Sequence, residues 1–410
     1  MRKGLFVLLC SLLFVLPVGA QDEPAGTEEA TETPTSPSIV LGMLLVGPQD
    51  DQGWSQSHYE GGLLVAEETN AELLLETNVL VEDVAGIVEE MVQDGAEIIF
   101  STSESFEEEA LAAAAAYPDV TFIQVAGDAT LTGNAPSNYS NLMAQMEWGK
   151  FAVGCAAALT TEDGKIGYVG PLINSETRRL AASAYLGAQY CYENYRERDA
   201  ADIDFRVEWV GFWFYIPGET RNPSRLTLSL YDDGYDVVIS GIDTPEVLEV
   251  ANQLAEDGRE VYAAAYSNLE LCRESTQVCI GSAIYSWGMP YIAVVQAVQA
   301  DEWEQTWDWM PPEWNRFGSQ GVSPVSFVVG GAFPVGQRTR LRSFIFSLQD
   351  YATNELVPAS FPLWQGVIRL QDGTIFANED ELVNLLDVWY LPQLLEGMEG
   401  ESFPFQLEGE

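Results

Sequence analysis

The chain has 410 residues, 47% of them hydrophobic, which is enough for two or three domains with real cores. This composition excludes full disorder, a collagen-like fibre and a polytopic membrane protein. The 63 acidic residues against 18 Lys and Arg give a formal charge of −45, so nucleic acid and anionic lipid are excluded as partners. The single histidine, His58, excludes any metal site or catalytic triad that needs several histidines.

The N-terminus is typical of an exported protein. Residues 1–20 predict a signal peptide, because two cations precede an apolar run and small residues close the segment. An uncleaved anchor and lipidation of Cys10 are the alternatives. Residues 21–37 contain five acids and no Lys or Arg, and predict a flexible acidic linker or an ordinary disordered N-terminus. We expect a periplasmic or cell-surface protein, tethered if the N-terminal segment stays uncleaved.

Four further cysteines favour disulfides, since an even count in an exported chain is typical of bonded pairs. Cys272 and Cys279 flank a short polar segment and predict a hairpin clip. That pairing leaves Cys155 with Cys191 on two neighbouring predicted helices. Four buried free thiols are the alternative.

Short apolar runs alternate with helical patterns from Ser38 to about Ala300. The runs predict strands at Ile39–Val46, Glu72–Leu75, Glu97–Ser101, Val120–Val125, Lys165–Val169, Phe205–Val210, Val237–Ser240 and Val261–Tyr266. Between them, amphipathic patterns predict helices at Trp54–Thr69, Val84–Gln93, Phe106–Ala116, Glu147–Leu159, Glu176–Tyr192, Ser224–Asp232 and Glu246–Glu256. The strands are apolar throughout, as in parallel sheets covered on both faces.

The alternation predicts an α/β fold with two doubly wound parallel-sheet lobes. A polar stretch from Gly127 to Ser140 follows the first four strand–helix units, and a second series starts at Lys165. Periodicity fades between Ala300 and Gln337. The tail from Phe361 to Tyr390 predicts a strand pair and a short helix.

No sequence motif for catalysis is present. The chain lacks a GxxxxGK[ST] phosphate loop, a GxGxxG after the first strand and a GxSxG nucleophile motif. We therefore expect no enzymatic activity, no cofactor and no metal.

Ligands of parallel α/β folds bind beyond the carboxyl ends of the strands, so the loops at those ends predict the site. Trp54 in the first lobe, and Trp213 or Phe214 in the second, predict a sandwich around a flat ring, although core packing is the alternative for any one Trp. A structural role is the alternative for His58. The other residues predicted to bind the ligand are Asp51, Ser55, His58, Ser103, Asn174, Asp243, Ser267 and Trp287.

The same loops resemble the basic membrane protein family of ABC-transporter substrate-binding proteins, also described as purine-nucleoside-receptor-like. The likeness is carried in order by VGPQDDQGWSQSHYEGG, DGAEIIFSTS, YPDVTFIQVAG, EWGKFAVGCAAALTTEDGKIGYVG, LYDDGYDVVISGIDTPEV, IGSAIYSWGMPY and FPLWQGVIRLQDG. The resemblance implies a type I periplasmic binding protein, with two lobes joined by a hinge, that delivers purine nucleosides or related compounds to a permease and its ATPase. Lobe 1 is then 38–142 plus about 282–345, and lobe 2 is 143–281 plus about 346–410.

By this resemblance, Trp54 and either Trp213 or Phe214 correspond to the aromatic residues that stack on the base, and Asp243 corresponds to an acid of one branch. Ala126 stands where nucleoside-binding members carry an acid that holds ribose hydroxyls, which favours a free base or another heterocycle. The usual lipid-anchor cysteine is missing, as is an acid near Ser267.

The sequence thus predicts a monomeric solute-binding protein that captures a purine nucleoside, nucleobase or related heterocycle and performs no chemistry. The alternatives are a ligand-sensing receptor of a signalling system, a type I binder of a sugar or amino acid, and an enzyme acting on nucleosides in the same cleft.

Overall fold

The computed structural model describes residues 39–267 and 269–404. The predicted signal peptide at 1–20, the acidic linker at 21–37 and the lipidation of Cys10 therefore lie outside the described residues. In the described part of the chain, no helix has both the length and the apolar character needed to cross a bilayer.

The strands account for most of the apolar runs predicted from the sequence. In chain order they are β1 (Ile39–Leu44), β2 (Ala71–Glu76), β3 (Ile98–Ser101), β4 (Thr121–Val125), β5 (Tyr139–Ala144), β6 (Lys165–Gly170), β7 (Asp204–Trp209), β8 (Val237–Ser240), β9 (Tyr262–Ser267), β10 (Cys279–Tyr285), β11 (Trp307–Met310), β12 (Val325–Val329), β13 (Ile368–Arg369), β14 (Ile375–Ala377) and β15 (Met398–Glu399).

The helices lie between these strands. They are α1 (Trp54–Thr69), α2 (Val84–Gln93), α3 (Glu107–Ala116), α4 (Glu147–Thr160), α5 (Ser175–Arg196), α6 (Pro223–Asp232), α7 (Glu246–Glu256), α8 (Glu270–Glu274), α9 (Gly288–Gln299), α10 (Arg338–Ala352) and α11 (Leu385–Trp389).

The strands form two doubly wound sheets, which confirms the predicted fold class. The first sheet has the order β11-β5-β4-β3-β1-β2, and all its pairings are parallel. The second has the order β12-β10-β9-β8-β6-β7-β15, and only β12 runs antiparallel to its neighbour. We call the bodies around these sheets the first and second lobes.

The sheets divide the chain differently from the predicted lobe boundaries. Residues 282–345 were assigned to lobe 1, yet β12 and all of β10 belong to the second sheet. The reason is that β10 pairs with β9 over most of its length and then carries β12 at the sheet edge. Only α9, which packs on α1, and β11 return to the first lobe. The predicted break at 142 falls inside β5.

Helices α4 and α5 form the most closely packed helix pair of the described chain. Every residue of α4 is buried. A Cβ on Gly154 would lie 1.8 Å from the Ala184 carbonyl oxygen, so only glycine allows the backbones to approach this closely. Cys155 of α4 is bonded to Cys191 of α5, and a second disulfide joins Cys272 to Cys279 at the start of β10. These are the two pairs that the sequence favoured.

Candidate ligand-binding site

A cavity of about 350 Å³ lies between the two lobes, beyond the carboxyl ends of the central strands. Both sheets contribute loops to it, as expected for a doubly wound fold. The described residues that line it are Val46, Gly47, Pro48, Asp51, Trp54, Ser55, Asn78, Ser103, Glu104 and Ala126 from the first lobe, and Glu176, Trp213, Phe214, Asp243, Thr244 and Tyr266 from the second.

Asp51 holds the loop after β1 against the N-terminus of α1. Its Oδ1 accepts hydrogen bonds from the backbone N–H groups of Gly53 and Gln56, and its Oδ2 accepts one from Ser55, all at 2.9 Å. The Ser55 hydroxyl accepts a further bond from the Gly47 N–H at 3.0 Å. The bonds to Asp51 satisfy backbone N–H groups at the start of α1 that have no partner within the helix. The Asp51 carboxylate is therefore largely occupied by backbone hydrogen bonds.

Trp54 is fixed by its indole N–H, which donates to the Thr102 carbonyl at 2.6 Å. Its ring meets His58 at 4.5 Å and Trp287 at 5.6 Å between centroids, both edge to face. His58 and Trp287 are fully buried and stack on each other at 4.4 Å. They lie behind Trp54 and support it.

His58 is a buried structural partner of this aromatic cluster. Its Nδ1 lies 2.6 Å from the Tyr291 hydroxyl. Burial lowers the pKa of His58 well below its ordinary value, so the imidazole is neutral at neutral pH.

The second lobe supplies three aromatic side chains to the cavity wall, from Trp213, Phe214 and Tyr266. Trp213, half-buried, and Phe214, exposed, follow β7. Tyr266 at the end of β9 is buried, and the Nζ of buried Lys150 lies 3.7 Å from its ring centroid. Trp54 from the first lobe and Trp213 and Phe214 from the second thus line the same cavity.

The cavity wall is acidic. Four carboxyl groups line it, from Asp51, Glu104, Glu176 and Asp243, and no Lys, Arg or His does so among the described residues. Burial raises the pKa of Asp243 well above its ordinary value, helped by the negative charges of Asp51 and Glu176. Glu104 is open to solvent at the mouth, yet desolvation by the protein around its carboxyl, together with the charge of Glu176, raises its pKa to about 7.

The two lobes touch at the rim of the cavity. A Cβ on Gly53 would lie 2.2 Å from the Asp243 carbonyl oxygen, so the loops after β1 and β8 are in close backbone contact. The Asn174 side-chain amide donates to Glu104 at 3.1 Å across the same gap. The structure therefore corresponds to a closed arrangement of the cleft.

The structure brings most of the predicted ligand-binding residues onto the cavity wall. Those on the wall are Asp51, Trp54, Ser55, Ser103, Trp213, Phe214 and Asp243. His58 and Trp287 lie in the layer behind, and Ser267 lies at the end of β9 with a buried hydroxyl that has no hydrogen-bond partner among the described residues. Asn174 caps α5 by accepting from the Thr177 N–H and bridges to Glu104.

Sequence reasoning missed Glu104 and Glu176 as wall residues. Glu104 directly follows the predicted Ser103, and Glu176 lies two residues after the predicted Asn174. In a chain with 63 acids, two more acids in loops give no signal of their own. Only the meeting of the two lobes shows that they face the same cavity.

A family model described as "ABC transporter substrate-binding protein PnrA-like", Bmp, matches residues 38–310. The chain belongs to this family. The resemblance found in the sequence is therefore confirmed, and this Bmp-family chain is an ABC-transporter substrate-binding protein of extracytoplasmic type, with a small-molecule ligand and a permease and ATPase as its partners.

Two curated relatives of this Bmp-family protein match most of its length. It is 24% identical to the purine-binding protein of Brucella abortus over 349 residues, 84% of this chain and 88% of the relative. It is 25% identical over 297 residues to a putative ABC transporter glucose-binding protein of Haloferax volcanii, covering 70% and 69% of the two chains.

Solved structures show the same fold. An ABC-transporter solute-binding protein from Conexibacter woesei superposes with a TM-score of 0.57 at 16% identity, covering 76% of this chain and 97% of that one. A protein from Aeropyrum pernix, also described as a solute-binding protein, gives a TM-score of 0.58 at 14% identity, with coverages of 76% and 86%. At these identities the likeness supports the architecture alone.

Proposed function

We propose that this substrate-binding protein captures a purine-like heterocycle between its two lobes and presents it, as a monomer, to the permease. The observation that carries the proposal is the pairing of Trp54 from the first lobe with Trp213 and Phe214 from the second around one cavity. Flat rings stack on such side chains, and hydrogen-bonding groups at the ring edge supply selectivity.

The dimensions of the cavity agree with a small ligand. Its volume of about 350 Å³ is at the lower end of the range for small-molecule pockets. Ala126 lines the cavity with a methyl group, where the resemblance places an acid for ribose hydroxyls in nucleoside binders. This supports a free base or related heterocycle over a nucleoside.

The names of the relatives support two ligand classes. The Brucella relative is named a purine-binding protein, whereas the Haloferax relative is named a putative glucose-binding protein. The aromatic side chains from both lobes favour the first class, and a sugar is the second candidate.

A thermal-shift panel of nucleobases, nucleosides, sugars and amino acids tests the proposal. A ligand that binds the folded state raises the melting temperature by mass action, by an amount that grows with its concentration. We expect shifts with purine bases or related heterocycles. Shifts with sugars alone, and none with any heterocycle, would overturn the proposal.

The substitution Trp54→Ala tests the stacking itself. Stacking of a base on an aromatic side chain contributes about 1–3 kcal/mol, so the affinity should fall roughly 5- to 150-fold. Trp303→Ala, which removes a half-buried Trp that does not line the cavity, is the matched control and should leave the affinity unchanged. If Trp54→Ala and the unmodified chain bound the ligand with equal affinity, Trp54 would only pack against its protein neighbours and would not stack on the ligand.

A further inference from the structure

Two carboxyl groups inside the cavity have oxygen atoms without a hydrogen-bond partner in the described chain. Glu176, in the first turn of α5, is only 8% exposed, lines the cavity, and makes no hydrogen bond or ion pair to a described residue. The Oδ1 atom of Asp243 is buried and likewise has no hydrogen-bond partner in the described chain. A buried carboxylate without a partner is costly, so these two carboxyl groups favour a ligand that brings them an opposite charge or a hydrogen-bond donor.

The nearby cations are already engaged elsewhere. The Lys150 ammonium donates to the Ser240 carbonyl at 3.1 Å and lies over the Tyr266 ring. Arg179 forms a buried ion pair with Glu147 at 2.7 Å. Neither cation lines the cavity, so no cationic side chain of the described residues meets these acids at the cavity surface.

The other two carboxyl groups of the wall are partly or wholly used. Asp51 accepts three backbone hydrogen bonds at the start of α1. One oxygen of Glu104 accepts from Asn174. Glu176 and Asp243 are therefore the groups left to meet a ligand, and both belong to the second lobe.

We infer that the cleft binds a heterocycle with a positively charged nitrogen group more tightly than its neutral counterpart, because the positive charge pairs with Glu176 and Asp243. This inference rests on the proposed function. A neutral base would leave at least one of these carboxyl groups buried without an opposite charge. A cationic ring supplies both the planar face for Trp54 and the charge for the acids.

The electrostatics of the cleft residues support this inference. Burial raises the pKa of Glu176, opposed by the charge of Arg179 and reinforced by that of Glu147. The pKa of Asp243 is also raised, and the charge of Lys150 offsets only part of the effect. Both acids hold protons more tightly than usual because burial disfavours their charged form and the nearby cations offset only part of this effect. A cationic ligand would take the place of those protons.

A pair of isomers separates charge from shape. At pH 7, 1,9-dimethyladenine carries an additional proton and is cationic, whereas N6,9-dimethyladenine is neutral and otherwise differs only in the position of one methyl group. We expect titration calorimetry on the full chain to give at least about tenfold tighter binding of the cation. Equal or tighter binding of the neutral isomer would overturn this inference and leave the proposed function standing. Binding of neither isomer would overturn this inference, and the thermal-shift panel would then decide the proposed function separately.

Substitution of the acid ties the preference to its residue. Glu176→Gln keeps the size and hydrogen-bonding capacity of the side chain but removes its charge, so the ratio of the two affinities should fall toward one. Glu68→Gln, at an exposed position of α1, is the matched control and should keep the ratio. Asp243→Asn gives a second reading if Glu176→Gln does not fold. An unchanged ratio in the folded acid variants would overturn the inference.

Discussion

Gly53 controls how closely the two lobes approach each other. It is the N-terminal cap position of α1, and its backbone lies against the Asp243 carbonyl of the other lobe. Because any larger residue would place a Cβ 2.2 Å from that oxygen, the closed cleft requires glycine here. The same loop carries Trp54, so closure and stacking are set by neighbouring residues.

The substitution Gly53→Ala should therefore weaken ligand binding while keeping the fold. The added methyl group meets backbone rather than a flexible side chain, so the cleft cannot close fully. We expect at least a tenfold loss of affinity, measured by calorimetry with the ligand found in the panel.

Gly86→Ala is the control for this prediction. Gly86 lies within α2, and nothing lies within 4 Å of the position of its Cβ. The substitution should raise the free energy of unfolding by about 0.5–1 kcal/mol and leave binding unchanged. If Gly53→Ala bound as tightly as Gly86→Ala, the closed contact at Asp243 would not be needed for binding.

Lys150 should make stability depend on pH. Burial lowers its pKa from 10.5 to about 7, although the charge of Asp243 opposes the shift. Between about pH 7 and pH 10.5, the Lys150 side chain is protonated in the unfolded chain and has released that proton in the folded chain. The free energy of unfolding therefore rises with pH because of this residue.

The variant Lys150→Met lacks this contribution. Relative to the unmodified chain, Lys150→Met should have its highest free energy of unfolding below pH 7. As the pH rises to 10, the free energy of unfolding of the unmodified chain should rise relative to that of the variant. Urea unfolding at several pH values measures this difference. A difference that stays constant with pH would contradict the assignment.

At the scale of elements, the disulfides stabilise the second lobe to different extents. The Cys155–Cys191 bond closes a separation of 36 residues between α4 and α5, whereas Cys272–Cys279 closes one of 7. In the chain-entropy model, the larger loop restricts the unfolded chain more.

Removing each disulfide by paired Cys→Ser substitution should reproduce this order. We expect the free energy of unfolding to fall by about 4 kcal/mol without Cys155–Cys191 and by about 2 kcal/mol without Cys272–Cys279. Denaturant unfolding measures both. The reverse order would show that the burial of the thiols, and not the loop, determines the effect.

Regular strand–helix units could be predicted because their apolar runs are continuous. The strands from β1 to β4 and from β6 to β9 lie within two residues or so of the predicted ranges. β5 was missed, since the buried Ser140 and Asn141 break its apolar run. Their side chains form bonds that the sequence does not reveal: the Ser140 hydroxyl accepts from the Thr306 N–H, and the Asn141 amide donates to the Ala126 carbonyl.

The path of the chain between the two lobes after β9 was harder to predict than the individual strand–helix units. The predicted boundary at about 282 falls inside β10 and places β12 in the first lobe, because nothing local distinguishes a strand that extends one sheet from a strand that joins the other. Local sequence also singled out the aromatic residues of the site, because they stand in the loops at the strand ends. Glu104 and Glu176 could be assigned to the cavity wall only from the structure, in which the two lobes meet.

For the whole molecule, the formal charge of −45 means that acidic side chains far outnumber basic ones. Repulsion among like charges destabilises the folded state, and dissolved salt screens it over about 10 Å at 0.1 M. We therefore expect the melting temperature of the ligand-free protein to rise when sodium chloride is raised from 10 mM to 500 mM. A fall over this range, measured by calorimetry, would show that attractive surface ion pairs dominate.

The same excess of acid extends into the cleft, where the two lobes close around it. The central claim is that a planar ring lies between Trp54 and the pair Trp213 and Phe214 when the cleft is shut. The most direct test is a crystal structure of the protein with the best ligand from the panel. The account predicts a ring stacked on the Trp54 indole and touched by Trp213 or Phe214. A ligand that contacts none of these three side chains would contradict it.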